Sequence, residues 1–252
     1  DKIPKNNFCA FGDERQCQPE GTKIKMRDGT EKNIEQLCIG DYVMTYNSKD
    51  GSVRGGARSN YTGGLVEEIA SRNIQEEVIS ITTEDGFASK YTDNHKCMVK
   101  LNGNSPLMHA VYLMCDDNYR FRIGKIPFFN IKSCHKNPWR DKMYKEGCSK
   151  IWILKLFDND KEARVLETKL SYKYQIPQTC WQTDKVLWTK DDIEYIYEGL
   201  NTYNSAKKCL EEFHRNIKYP LIDKNLEISE HIHFAKNAIT QIYACNLMED
   251  VM

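Results

Sequence analysis

Two stretches of this 252-residue chain combine residue types that could carry out covalent chemistry. The first is CQPEGTKI, Cys17 to Ile24; the second is YTDNHKCMV, in which Thr92 and His95 stand three apart at the end of a predicted strand. A thiol becomes a nucleophile when it is ionised and oriented, and a nearby imidazole is the usual means. An imidazole titrating near about 6.5 can also give a proton to a departing amide nitrogen at neutral pH. The nearest target for the Cys17 thiol is the peptide bond just before it, formed by Gln16. Each stretch alone is unspecific, because a single cysteine or strand histidine is more often packed than catalytic.

The elements that must position these residues read as β up to about residue 104. Residues 22 to 26 alternate, with Ile24 and Met26 on one face, and RDGT supplies an Asp-Gly turn. NIEQLCIGD reads as a short helical or turn segment, with Cys38 as a filler thiol in it, and YVMTY as the next strand. The Gly-rich residues 51 to 64 read as an exposed loop. VISITT and FASKY flank EDG as a hairpin, and HKCMVKL closes the series. From about residue 105 the character changes. LMHAVYLM and YRFRIGK read as a strand pair and IWILKLF as a buried strand. Ala163, Leu166 and Leu170 stand at helical spacing, TKDD at Thr189 fits a capping box, and SAKKCLEEF makes a third helix. Strands first and mixed elements later imply a β domain interrupted or followed by a second module.

Composition narrows the function classes. At 40% hydrophobic and 29% charged, the chain can fill one large or two small cores. The formal net charge is zero and the pI about 7.1, which disfavours a purely electrostatic nucleic-acid binder. No apolar run approaches the roughly 20 residues that span a bilayer. The opening DKIPKNNFCAFGDERQ lacks a secretion pattern, so the expectation is a soluble, cytoplasmic protein with no membrane partner. The ten cysteines include no CxxC pair and point to a reducing compartment. Only Cys134, His135 and Cys148 approach metal-ligand spacing, and half-buried free thiols account for them as well; no metal or cofactor is expected.

Taken in this order, C-x-P-x-G-T-x-I, then DG-T-x-K-x-IEQL-x-x-GD-x-V, then T-D-N-H some seventy-odd residues later, the chain resembles an intein. The resemblance covers most of residues 17 to 101. It implies a Hint fold: a mainly β, horseshoe-like domain, incomplete at its C-terminal end, plus an α/β or mainly helical insert. It divides the chain into a remnant of the upstream host segment at 1–16, a splicing domain at 17–104, an insert at 105–235, and a truncated or split return at 236–252. It implies that Cys17 attacks the Gln16 carbonyl in an N-to-S acyl shift, that His95 protonates the leaving nitrogen, and that Thr92 holds the scissile peptide and stabilises developing charge.

A complete intein ends with a His-Asn pair before a Cys, Ser or Thr, and this sequence contains no His-Asn dipeptide. The resemblance therefore implies a partner: a C-terminal intein fragment bringing the terminal asparagine and the downstream nucleophile, with excision and ligation in trans. Within the insert, AVYLM, FRIGK and the stretch to Tyr174 are loosely similar to the GIY-YIG nuclease module. By that match Tyr112 is the first tyrosine, Arg140 the arginine and Glu167 the metal-binding glutamate, while Arg122 stands where a second tyrosine is expected. The alternative is thus a homing endonuclease acting on DNA with a vestigial splicing domain. Against it, Glu167 also reads as a solvated helix residue, Tyr112 as a core aromatic, and the near-neutral charge as unfavourable for DNA. Further alternatives are a hedgehog-type or toxin-type processor that cleaves without ligation, and a cysteine-rich β-protein with no self-chemistry.

Overall fold

The computed structural model describes residues 7–9, 18–46, 61–73, 78–129, 138–179, 181, 188–224, 239–249 and 251–252. It divides into two compact units, Asp1–Cys97 and Met98–Met252.

The first unit is built from short strands: β1 (Asn7–Cys9), β2 (Gln18–Pro19), β3 (Lys23–Lys25), β4 (Glu31–Asn33), β5 (Tyr42–Tyr46), β6 (Tyr61–Leu65), β7 (Ala70–Arg72), β8 (Ile79–Thr82) and β9 (Ala88–Tyr91). Strand β10 (Lys96–Lys100) crosses the boundary between the units. Local turn chemistry explains the hairpins. At RDGT, Asp28 Oδ1 accepts from the Thr30 amide at 2.9 Å, and Gly29 takes φ +86°, which a β-carbon would disfavour. The β3–β4 pair so formed lays Met26 against Ile34, Leu37, Val43 and Val66 in a small core. A 3₁₀ turn at Ile34–Gln36 comes next, and Cys38 lies beyond it, exposed, so it fills no core. Residues 61 to 64 belong to β6, paired with β5, and not to the exposed loop that their glycines suggested.

The horseshoe-like Hint fold is not what these strands build. Among the described residues of this unit they form one three-stranded sheet, β2-β1-β7, and separate antiparallel pairs β3–β4, β5–β6 and β8–β9. The Met26–Val43 bridge is the link seen between two of them. The strands are two to five residues long, and two of the pairs, β3–β4 and β8–β9, turn straight back at Asp-Gly sites, leaving little backbone there for a continuous curved sheet.

The second unit holds β11 (His109–Cys115), β12 (Phe121–Pro127), α1 (Pro138–Glu146), β13 (Lys150–Phe157), α2 (Asp160–Tyr174), α3 (Lys190–Tyr197), α4 (Thr202–Glu212), β14 (Ile222–Asp223) and β15 (Ile239–Tyr243). Its centre is a four-stranded sheet in the order β12-β11-β13-β14, antiparallel throughout. The expected α/β or mainly helical insert is corrected accordingly. Strand β15 pairs with β10.

Both faces of the four-stranded sheet are covered, which explains why HAVYLMC and KIWILKLF are apolar without alternation. Ala110, Tyr112, Met114, Ile151 and Ile153 pack with Trp139 of α1 and with Ile193 and Tyr197 of α3. Val111, Leu113, Cys115, Trp152 and Leu154 pack instead with Ala163 and Leu170 of α2 and with Ala206, Cys209 and Leu210 of α4. Helix α2 starts at Asn159, whose Oδ1 accepts from the Glu162 amide at 2.8 Å. Helix α3 starts at the predicted capping box, with the Thr189 amide donating to Asp192 Oδ2 at 2.7 Å and the Asp192 amide to Thr189 Oγ1 at 3.2 Å. Among the described residues no helix is long and apolar enough to cross a membrane.

One buried charge network lies on the α1 side of this sheet. Glu146 accepts from both Arg122 and Lys142, and Arg122 and Glu146 are only 5% and 8% exposed. Removing the carboxylate would leave Arg122 charged and desolvated. Glu146→Ala is expected to cost about 3–5 kcal/mol, read as a lowered urea midpoint with an unchanged slope. A loss below about 1 kcal/mol would show that the pair behaves as a solvated surface bridge.

Candidate active site

Cys17 and Gln16 lie outside the described residues, so the site is built from their neighbours in the chain and from the turn that faces those neighbours. Gln18 and Pro19 form β2, and the segment PEGT turns immediately after it. The Pro19 carbonyl accepts from the Thr22 amide at 3.2 Å and from Thr22 Oγ1 at 2.7 Å, while the Gly21 amide donates to Glu35 Oε2 at 2.8 Å. These bonds fix the chain direction from two residues beyond the predicted nucleophile. The motif C-x-P-x-G-T thus has a local conformational reason.

The T-D-N-H segment is the turn between β9 and β10. The His95 amide donates to the Thr92 carbonyl at 3.0 Å, closing the turn. Thr92 and Asn94 are 1% and 6% exposed, and Thr92 Oγ1 donates to Asn94 Oδ1 at 2.7 Å. A hydroxyl has one proton to donate, so in this arrangement Thr92 offers a further group acceptor lone pairs. The Tyr91 ring lies 4.6 Å from the His95 ring, tilted by 31°. His95 Nδ1 is buried and has no hydrogen-bond partner among the described residues. Burial lowers the His95 pKa to about 4, since the low-dielectric surroundings disfavour the imidazolium. The ring is therefore neutral at pH 7.

The two stretches come together among the described residues: the carboxamide Nε2 of Gln18 lies 3.4 Å from His95 Nε2, across 77 residues of sequence. Gln18 is bonded to Cys17, and successive Cα atoms are about 3.8 Å apart. The imidazole thus sits within reach of the chain next to the candidate nucleophile. Sequence reasoning did not find Gln18 or Tyr91, and it took Asn94 as a tuning residue of the motif without a chemical role. An amide side chain directly after the cysteine was the available signal for Gln18. Cys97, two residues past His95, is half-buried and its thiol is pushed up to about 11 by burial, which suits packing and not nucleophilic attack.

The nuclease candidates are placed differently. Tyr112 is fully buried, edge-on to Trp139 at 5.6 Å, and a β-carbon at its cross-strand partner Gly124 would overlap its hydroxyl. Arg140 lies on α1, with its side chain outside the described residues. Glu167 is half-buried on α2, which packs on the opposite face of the sheet from Tyr112. Tyr112 and Glu167 are thus not brought together. Burial raises the Glu167 pKa, and Arg122, Lys125 and Arg164 nearby pull it back. Each of these cations is paired with another carboxylate, Arg122 with Glu146 and both Lys125 and Arg164 with Asp160. Among the described residues no group of three or more His, Cys, Asp or Glu is arranged to hold a metal ion. Cys134 and His135 lie outside the described residues; Cys148 is buried and its thiol pKa is raised by burial.

No family model, no curated protein and no solved structure matches the chain.

Proposed function

We propose that this chain carries the N-terminal splicing region of a self-splicing protein, an intein, in which Cys17 attacks the carbonyl of Gln16 and converts that peptide bond to a thioester. The observation that carries this reading is the approach of His95 to Gln18, the residue bonded to Cys17, at 3.4 Å. The step is an isomerisation. The bond from Cys17 sulfur to the Gln16 carbonyl carbon forms, the bond from that carbon to the Cys17 nitrogen breaks, and the thiol proton is replaced by one on the nitrogen. Attack passes through a five-membered ring, so the covalent chain itself supplies proximity. A thioester is less stable than an amide, so protonation of the departing nitrogen is where a side chain can contribute most.

A neutral imidazole suits this exchange. It can accept the thiol proton, hold it as imidazolium, and return it to the amine as the carbon–nitrogen bond breaks. Thr92 closes the turn that holds His95, and its hydroxyl is itself oriented by Asn94. Ligation needs more: a terminal asparagine and a downstream Cys, Ser or Thr, the residues that a C-terminal intein segment supplies. The burial of Tyr112 away from Glu167 weighs against the endonuclease alternative.

The experiment is to mix the chain with candidate C-terminal fragments and look by mass spectrometry for ligated flanking segments. In the chain alone the Gln16–Cys17 bond is expected to stay largely intact until a C-terminal intein segment is supplied. Rapid spontaneous loss of residues 1–16 from the chain alone would refute that dependence. Hydrolysis that never yields a ligated product would favour a cleaving processor instead.

A further inference from the structure

We infer that this chain associates with further copies of itself, head to tail, through the outer faces of two helices. The basic face of α2 on one copy docks against the acidic face of α3 on the next. Both faces belong to the unit Met98–Met252, and neither includes Cys17, Thr92 or His95.

Helix α2 buries Ala163 and Leu170 on the sheet, and the helical period then turns Val165, Lys169 and Tyr172 outward together. Tyr172 is 82% exposed. With Arg164 and Thr168 these residues line a hollow of about 400 Å³ that has cations on its rim and no carboxylate. Arg164 is bonded to Asp160 at 2.6 Å, whereas Lys169 has no ion-pair partner among the described residues. Helix α3 buries Ile193 and Tyr197 and presents Glu194 and Glu198, one turn apart, with Tyr195 between them, 78% exposed. These two glutamates and Tyr195 line a second hollow, of about 500 Å³, with Tyr197 and Arg120. Arg120 does not neutralise the glutamates: its Nε donates to Asp116 at 2.7 Å, and its guanidinium lies 5.7 Å from the Tyr197 ring centre. Glu194 stands 3.6 Å from the exposed Lys190, and Glu198 has no ion-pair partner among the described residues. One hollow thus sets cations around Val165 and Tyr172, and the other sets carboxylates around Tyr195.

The two faces match in sign and in apolar content, yet they cannot meet within one chain. Helix α3 packs on one side of the four-stranded sheet and α2 on the other, so their outer faces point away from each other. A second copy brings each face its counterpart, and a formal net charge of zero sets up no long-range repulsion between copies. In the contact Lys169 faces Glu198, while Val165 and Tyr172 pack against Tyr195; tyrosine is the residue type enriched at the centre of such surfaces. Because the two patches are unlike, a pair of copies leaves one α2 face and one α3 face open, and further copies add to form a ring or an open chain. One helix laid on one helix buries less than the roughly 1,200 Å² of a standard interface, so the association is weak and concentration-dependent.

The test is sedimentation velocity on the full chain over a wide range of protein concentration. The weight-average sedimentation coefficient of wild type is expected to rise with concentration and to pass the value of a dimer. Raising the salt until the Debye length falls from about 10 Å to about 3 Å should weaken the association. Lys169→Glu and Glu198→Lys should each weaken it about tenfold or more, since each sets like charges against each other in the contact. An equimolar mixture of the two variants, or the chain carrying both substitutions, restores opposite charges and should recover the wild-type behaviour. Both positions are exposed, and Glu198→Lys places a cation at a helix C-terminus, so the fold is expected to survive. Tyr172→Ser removes the apolar anchor without changing charge and should weaken association at any salt concentration. A wild type that stays monomeric at every concentration overturns the inference, as does a species that stops at the dimer. Single reversals that leave association unchanged, or that weaken it without rescuing each other, overturn the pairing of α2 with α3.

Discussion

Cys17→Ala is expected to abolish hydroxylamine-sensitive cleavage between Gln16 and residue 17, while wild type releases a fragment with the mass of residues 1–16. The effect should be all-or-none because no other group can replace the thiol. The sulfur reaches the Gln16 carbonyl through a five-membered ring, an arrangement whose effective molarity lies on the order of 10⁵–10⁸ M. A thiol arriving from elsewhere would have to match that by folding alone. The half-buried Cys97 is closest in sequence to His95, but burial pushes its thiol up to about 11, so little of it is thiolate at neutral pH. Cys38 is exposed and stands beyond the 3₁₀ turn after β4. Cys97→Ala and Cys38→Ala should therefore cleave at the wild-type rate. Cys17→Ser should still react, more slowly, because an alcohol is a weaker nucleophile than a thiolate. Equal cleavage in Cys17→Ala and wild type would sink the proposed chemistry.

How much could be read from the sequence depends on the range of the interactions involved. The hairpin at EDG is set by a few neighbouring residues: the Thr83 amide donates to the Phe87 carbonyl at 2.8 Å, and Gly86 sits at φ +85°. Helix α2 is likewise local, with Ala163 and Leu170 buried at the spacing that the sequence displays. Its Asn159 cap and the capping box of α3 are set by residues three apart. By contrast, the arrangement of the strands was not legible. Whether short strands join into one curved sheet or close as separate hairpins depends on pairings between distant segments, and the resemblance to an intein led to the wrong choice. Helix α1 went unread because PWRDKMYKE has no clear apolar stripe. Its hold on the sheet comes largely from Trp139, whose Nε1 donates to the Phe128 carbonyl at 3.1 Å.

The same distinction applies to the candidate site. Cys17, Thr92 and His95 could be named from residue type and spacing, because the chemistry asked of them is specific. The Gln18–His95 contact spans 77 residues and depends on how β2 lies relative to the turn after β9. The Arg122–Glu146 pair, 24 residues apart, has the same character. It changes the meaning of Arg122: a residue that the nuclease comparison placed at a catalytic tyrosine is held in a buried ion pair beneath α1. Long-range placement, not residue identity, is what separates the two functional readings.

His95→Ala is expected to lower the cleavage rate about 10²- to 10⁴-fold, the contribution typical of a positioned acid–base group. The pH dependence should identify that group. Burial lowers the His95 pKa to about 4, so the ring is neutral and able to accept a proton over most of the range in which the chain is folded. The rate should therefore rise from acid with an apparent pKa near 4 and stay flat from about pH 5.5 to 8, where an ordinary histidine, titrating at about 6.5, would still change it. Stability carries the same signature with a defined sign. The folded-state pKa lies below the unfolded value of 6.5, so the unfolded chain binds a proton that the folded chain refuses between those values. Stability is fully present above about pH 6.5, falls as the pH drops towards 4, and changes no further from this group below that. The shift corresponds to a loss on the order of 3 kcal/mol. Urea midpoints at pH 7 and 4.5 should therefore separate in wild type and converge in His95→Ala. Cleavage rates below pH 5 must be divided by the folded fraction measured at the same pH. A corrected rate profile with its lower limb at 6.5, or one unaltered in His95→Ala, would assign the proton transfer to another group and leave the His95–Gln18 contact as packing.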